Sequence, residues 1–190
     1  MKRNLAFLSF LLIFSSFFAF ASPGYEVGFG SGYVFYGSST TKDRNSALGS
    51  SNQLILTTDA RILFPIEKNM YLSLGGDSTF DGRWKGGDHI FLVDYSFLFG
   101  FRMYPGLAGL VLSVDYALGR RTDFLSFGDY DDEVKNTKWG NGFRFGAGYD
   151  FSVHTSGYAP TLGFALKSMP RGGSRDNLLT VFLKFGKRRP

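Results

Sequence analysis

WGNGFRFGAGYDF, residues 139–151, sets bulky apolar side chains at alternate positions with small or charged ones between them. Side chains on a strand alternate between faces, so one face carries Trp139, Asn141, Phe143, Phe145, Ala147, Tyr149 and Phe151. The other carries Gly140, Gly142, Arg144, Gly146, Gly148 and Asp150. The greasy face lacks charge over the roughly 9–11 residues that cross a hydrocarbon layer, where a lysine or arginine would cost about 2–4 kcal/mol at the midplane. That face is expected to meet lipid, and the glycine-rich, charged face to line a narrow lumen.

The pattern recurs along the chain. Residues 25–36 set Tyr25, Val27, Phe29, Tyr33 and Phe35 against Glu26, Gly28, Gly30 and Gly32, and the segments 53–64, 70–80, 89–104, 110–121, 158–168 and 178–186 alternate likewise. With the opening stretch they make eight candidate strands. The segments between them alternate in length: 37–52, 81–88, 122–138 and 169–177 are polar and longer, whereas 65–69, 105–109 and 152–157 are short. Short turns at one end and longer loops at the other predict an all-β fold, an eight-stranded antiparallel up-and-down transmembrane β-barrel. No helix pattern of any length, linker or low-complexity segment is expected. A soluble β-sandwich or lipocalin-like barrel would turn the aromatics inward and leave an outer layer of mostly glycine, with little polar surface to hold it in water.

The chain begins with Lys2 and Arg3, an apolar run from Leu5 to Phe20, and Ala19-Phe20-Ala21 in the A-x-A arrangement of a signal-peptidase site. Residues 1–21 are expected to be a secretory signal and 22–190 the barrel with a short basic tail; Pro23, directly after the site, argues against a retained anchor. Removing Lys2 and Arg3 lowers the formal charge from +5 to +3, too mild and mixed for a nucleic-acid reader. The chain has no cysteine, which excludes disulfides, thiolate metal sites and a cysteine nucleophile.

Residues 24–186 resemble the small eight-stranded outer-membrane proteins of the A, X and W types, on the strand pattern, the signal and a last strand LLTVFLKFG with Phe185 near its end. Those families finish on the terminal aromatic, whereas here Gly186-Lys187-Arg188-Arg189-Pro190 follows. The resemblance implies a monomer in the bacterial outer membrane with both termini periplasmic. Its partners would be outer-membrane lipid, the barrel-assembly machinery during biogenesis and an unidentified extracellular surface, with no nucleic acid.

Residues able to carry chemistry are few. His154-Thr155-Ser156 is similar to the His-x-Ser of outer-membrane lipid A deacylases, but it lies on a periplasmic turn, Gly157 stands where asparagine is expected, and no orienting carboxylate can be named. Asp88-His89 lies on the outer side, where lipid A palmitoyl transfer enzymes work, yet the leading amphipathic helix of that family is missing; His89 reads as a strand-end histidine. The acidic run Asp129, Asp131, Asp132, Glu133 lacks EF-hand spacing and reads as a solvated loop. No catalytic, cofactor-binding or metal-binding residue is therefore expected, and no enzymatic activity.

The inward positions give a sharper expectation. Strand parity places Glu26, Asp59, Asp77, Asp94, Asp115 and Asp150 in the lumen with Arg61, Arg102, Arg121, Arg144, Lys167 and Lys184. Equal numbers of acids and bases in a narrow interior favour mutual pairing into a polar plug, with Glu26–Lys184 and Asp115–Arg144 as nameable pairs. The apolar residues on this face, Ile55, Leu63, Leu92, Leu98 and Phe182, are too few for a hydrophobic conduit. A structural or surface-interaction barrel is thus favoured over a channel for small solutes or hydrophobic molecules, and more strongly over a lipid A-modifying hydrolase. Trp84, Phe124, Phe127 and Tyr130, on charged loops, are the candidate surface contacts.

Overall fold

A computed structural model describes residues 23–106, 109–128, 130–153 and 159–187, the side chains of 130, 131, 153, 159 and 187 excepted. The signal segment lies outside these residues. In chain order the elements are β1 (Gly24–Phe35), α1 (Ser39–Ala47), β2 (Asn52–Glu67), β3 (Met70–Lys85), β4 (Asp88–Met103), β5 (Leu110–Phe127), β6 (Tyr130–Asn136), β7 (Gly140–Asp150), a 3-10 turn (Phe151–Val153), β8 (Ala159–Arg171) and β9 (Ser174–Lys187).

Eight strands close a fully antiparallel ring, β1-β2-β3-β4-β5-β7-β8-β9 and back to β1. The ninth, β6, pairs only with β5, with Thr122 opposite Asn136, while β7 meets the same strand lower down with Gly119 opposite Gly140. It is the upper continuation of β7, offset by the break at 137–139. The predicted eight-stranded barrel is therefore the fold observed.

Register fixes the barrel's shape. Directly paired residues lead around the ring from Arg120 through Tyr95, Ser78, Thr58, Phe29, Leu183, Leu162 and Tyr149 to Leu110, which is ten residues from the start on the same strand. A stagger of ten over eight strands, at about 3.3 Å per residue and about 4.8 Å between strands, tilts the strands by roughly 40°. The lumen of so small a ring is only wide enough for side chains.

Alternate residues face lipid and lumen as the strand pattern requires. Val27, Phe29, Tyr33, Ile62, Phe97, Phe143, Phe145, Phe164 and Val181 point out and are exposed. From the level of Leu110 to that of Arg120 the outward face spans roughly 25 Å, the height of an outer-membrane apolar band. Inside, apolar clusters close each end. Leu63, Tyr71, Tyr104 and Val111 sit near the short turns, and Tyr36, Leu48, Ile90, Leu92 and Leu125 sit beneath α1 at the loop end.

Three sequence expectations are corrected at the loop end. The segments 81–88 and 169–177 are not loops: β3 and β4, and likewise β8 and β9, run on to two-residue Gly-Gly turns, where Gly86 and Gly172 take positive φ of 61° and 73°. Segment 122–138 is largely a hairpin of β5 and β6 turning at Gly128. Polar residues on both faces mark height above the apolar band, not the end of strand pairing. Segment 37–52 holds a helix, α1, although none was expected. Ser38 caps it by accepting from the Thr41 amide at 3.4 Å, and its buried residues are the polar Thr41 and Asn45, so no hydrophobic period announces it.

Closure at this radius requires small residues where neighbouring backbones approach. A Cβ added to Gly100 would lie 2.7 Å from Asp115 Oδ1, whereas one added to Gly87 meets nothing. Gly100→Val is expected to destabilise the barrel by about 1–3 kcal/mol through overpacking, lowering the fraction that migrates as the compact, heat-shiftable species on a detergent gel. Gly87→Ala should leave that fraction unchanged.

Candidate functional site: the charged lumen and its mouth

The lumen-facing positions of the strands bring a chain of oppositely charged side chains together inside the barrel. Near the short turns, Lys184 on β9 bridges Glu26 on β1 at 2.9 Å and Asp59 on β2 at 3.0 Å, and Arg102 on β4 pairs with Glu26. Arg61 holds Asp59 at 3.0 Å and crosses the lumen to Asp115 on β5 at 2.7 Å, where the Ser73 hydroxyl also donates at 3.2 Å. Arg144 on β7 reaches Asp59 at 3.1 Å, Asp115 at 3.7 Å and Asp77 at 3.8 Å. Lys167 on β8 then bridges Asp77 at 2.9 Å and Asp94 at 2.8 Å, and Asp94 continues to Arg171. Opposite charges thus link the two ends of the barrel without a break, and these residues are all buried or nearly so. Shared partners matter energetically, because a buried charge repays its desolvation only when its remaining hydrogen-bonding capacity is also used.

Arg121 builds a second cluster at the mouth. It holds Asp123 on its own strand at 2.6 Å, pairs with Asp176 on β9, donates to Thr41 of α1 at 3.0 Å and stacks 5.0 Å from the Tyr36 ring centre. Tyr36 in turn donates to Asp81 at 2.7 Å, and Asp81 also accepts from Gln53 at 2.8 Å. Burial, with the Asp81 carboxylate adding to it, raises the Tyr36 phenol far above its usual range, so it remains a donor. Asp150 lies at the short-turn end of β7, where it accepts from Tyr104 at 3.2 Å and from the Ser152 amide at 2.9 Å.

Among the described residues the charged side chains meet across the lumen, and cavities beside them measure about 20, 10 and 10 Å³, on the scale of single waters. A larger, open cavity of about 200 Å³ lies at the mouth, among Ser38, Thr41, Arg44, Arg121, Lys135 and Arg171.

Of the twelve inward residues named from sequence, ten are buried and Asp77 and Asp94 are half-buried; Asp81, Asp123, Asp176 and Arg171, which were not named, are buried as well. These four lie on strand extensions read as loops, and carrying the same parity upward would have found them. Arg171, within the segment 169–177 read as a loop, is a buried lumen residue. The four candidate surface contacts do not converge. Trp84 and Phe124 are exposed on the outward face, Phe127 packs against the apolar cluster under α1, and the Tyr130 side chain lies outside the described residues. His89 stacks on Phe91 at 4.6 Å. His154 and Ser156 also lie outside the described residues, and among those described no three of His, Asp and Glu converge as metal ligands.

Comparison with known proteins finds likeness only in structure. No protein-family model matches the chain, and no curated protein does. Among solved structures, Ail, the attachment invasion locus protein of Yersinia pestis, crystallised with the heparin analogue sucrose octasulfate, superposes with a TM-score of 0.57 at 10% identity, over 88% of this chain and 99% of that one. Neisserial surface protein A gives 0.54 at 12% identity, over 86% and 97%. The chain has the fold of the small eight-stranded outer-membrane β-barrels. At these identities the likeness concerns the fold and carries no side chain across.

The ion-pair ladder yields a stability prediction. Asp59→Asn or Arg144→Met removes one partner and leaves the other buried, at a cost of roughly 3–5 kcal/mol, read as a lower urea midpoint for the micelle-folded barrel. Lys135→Gln, whose side chain is 36% exposed beside Glu133, should shift stability by less than about 1 kcal/mol.

Proposed function

We propose that this chain is a monomeric, non-enzymatic barrel of the bacterial outer membrane, closed by its own charged side chains and acting as a structural or surface-interaction protein. The observation that carries the reading is the unbroken ladder from Glu26 and Arg102 to Arg171, with water-sized spaces beside it. Solute passing through would have to separate several buried pairs at once, each costly to part. Residues 1–21 serve as the export signal, both termini face the periplasm, and assembly uses the barrel-assembly machinery. Interaction with an outside surface falls to the loop end, where α1 and the long hairpins stand. Ail's complex with sucrose octasulfate is a precedent for a ligand of that chemical kind on a barrel of this fold, and the mouth cavity here is lined by Arg44, Arg121, Lys135 and Arg171 together with Asp123.

Planar-bilayer recording of refolded protein tests the closed lumen. Little or no current is expected from the wild type, with measurable conductance once Arg144 or Asp115 is truncated to alanine. Steady wild-type current that Arg144→Ala leaves unchanged would overturn the plug.

Orientation is tested separately with a tag inserted at Gly49, in the exposed segment after α1. It should be labelled on intact cells; labelling only after lysis would reverse the assignment of the two ends.

A further inference from the structure

Between the short turns and the level of Arg120, the outward face of the described strands carries no charged side chain inside its apolar band. Arg120 is the cation at the band's loop-side edge. It stands on β5, in register with Tyr95 of β4, and its Nε donates to the Tyr95 hydroxyl. Its guanidinium lies 5.7 Å from the ring centres of both Tyr95 and Trp139. These rings meet edge to face at 6.1 Å, and Trp139 stacks on Phe97 at 6.5 Å. Arg120 is thus gripped by an aromatic clamp that is itself anchored to the lipid-facing wall.

The surroundings divide at this height. Below Arg120 are Leu118, Tyr116, Phe143 and Phe145, all exposed and uncharged. Level with it, on the neighbouring strands, the outward residues turn polar: Asn141, Ser168 and Asn177. Just above, Lys138 is exposed beside Trp139, and Arg175 reaches down to donate to Ser168 at 3.1 Å. On the β3–β4 side the same height holds aromatics instead. The cations therefore gather on one flank, at the boundary where lipid headgroups begin.

We propose that this flank, with Arg120 at its centre, binds the phosphate of an anionic outer-leaflet lipid whose acyl chains lie against the apolar wall below. A guanidinium offers paired N–H donors that match two phosphate oxygens. Here Nε donates to Tyr95, so the two terminal nitrogens are the donors assigned to the phosphate. The clamp holds the side chain in place before the ligand arrives, so little rotamer freedom remains to be lost on binding. Tyrosine and tryptophan suit the interface, with ring bodies toward the chains and polar ends toward the headgroups. Lys138 and Arg175 add favourable field for a headgroup with more than one phosphate.

This inference rests on the outer-membrane reading, and its test separates the two. The chain has two tryptophans, so Trp84→Phe leaves Trp139 as the only indole reporter. The variant barrel, folded in maltoside micelles that contain no phosphate, is titrated with diphosphorylated lipid A, with the same lipid after removal of its phosphates, and with inorganic phosphate. The phosphorylated lipid should shift Trp139 emission saturably, at a micelle fraction at least tenfold below that needed for the dephosphorylated lipid. Arg120→Gln should abolish the shift and Arg120→Lys weaken it. Equal responses to the two lipids, or an undiminished response in Arg120→Gln, would overturn the proposal; saturation by inorganic phosphate alone would make the site one for the free anion and overturn the lipid assignment. The two-lipid comparison needs no Arg120 variant to fold. A chain that forms no heat-shiftable barrel in micelles counts against the membrane reading, whereas a folded barrel that does not distinguish the lipids counts against this site alone.

Discussion

A ring of eight strands with a stagger of ten residues leaves an interior no wider than the side chains that meet across it, and that dimension governs what the inward face can hold. Ionised groups placed there leave bulk water, so each needs a partner within reach on another strand. The bases meet this need by bridging. Lys184 stands between Glu26 and Asp59, Arg61 between Asp59 and Asp115, Lys167 between Asp77 and Asp94, and Arg121 between Asp123 and Asp176. Each of these bases links acids on two different strands, so the electrostatics that satisfy burial also fix which strands face one another. Glycine supplies the remaining room: at Gly28 an added Cβ would lie 2.5 Å from Lys184 Cγ, where the lysine stem crosses the wall.

Much of this architecture was readable because a membrane barrel has no interior layer to confuse the pattern. Lipid selects one parity and the lumen the other, so 139–151 already separates Phe143 and Phe145 from Arg144. The pattern failed where lipid no longer selects. Above the apolar band both faces tolerate polar residues, and the upper parts of β3, β5, β8 and β9 lost their contrast while keeping their hydrogen bonds. Asp81, Asp123, Arg171 and Asp176 went unread for that reason, although each continues its strand's inward parity. Helix α1 was illegible for a different cause. Its order comes from a cap at Ser38 and from contacts such as Thr41 with Arg121, which join positions 80 residues apart.

The pairings across the mouth bear on what moves and what stays. Arg121 ties β5, β9, α1 and the Tyr36 end of β1 together, so the helix is fastened to the ring by a side chain that is itself part of the buried charge network. Beneath it, Leu48 of the segment after α1 packs with Tyr36, Ile90, Leu92 and Leu125. A helix held by both an ion cluster and an apolar cluster resists displacement more than one held by either alone, because separating α1 exposes carbon and charge in the same step.

Arg120 and Arg121 show how one dipeptide can serve two solvents. Adjacent on β5, they point to opposite faces; Arg121 meets carboxylates on the lumen side at the mouth, and Arg120 meets aromatic rings at the edge of the lipid-facing wall. In each case the guanidinium has a partner suited to its surroundings: countercharge where the side chain is buried, and polarisable rings on the outward wall. The outward face therefore changes character at this height while the inward face stays charged on both sides of it, and the strands continue beyond. What projects above is a hairpin sheet carrying Trp84, Phe124 and Val134 on its exposed side, built on a base that the charges hold rigid. Such a base sets where that sheet stands relative to the apolar band, because the hairpins are continuations of the same strands that carry the charges.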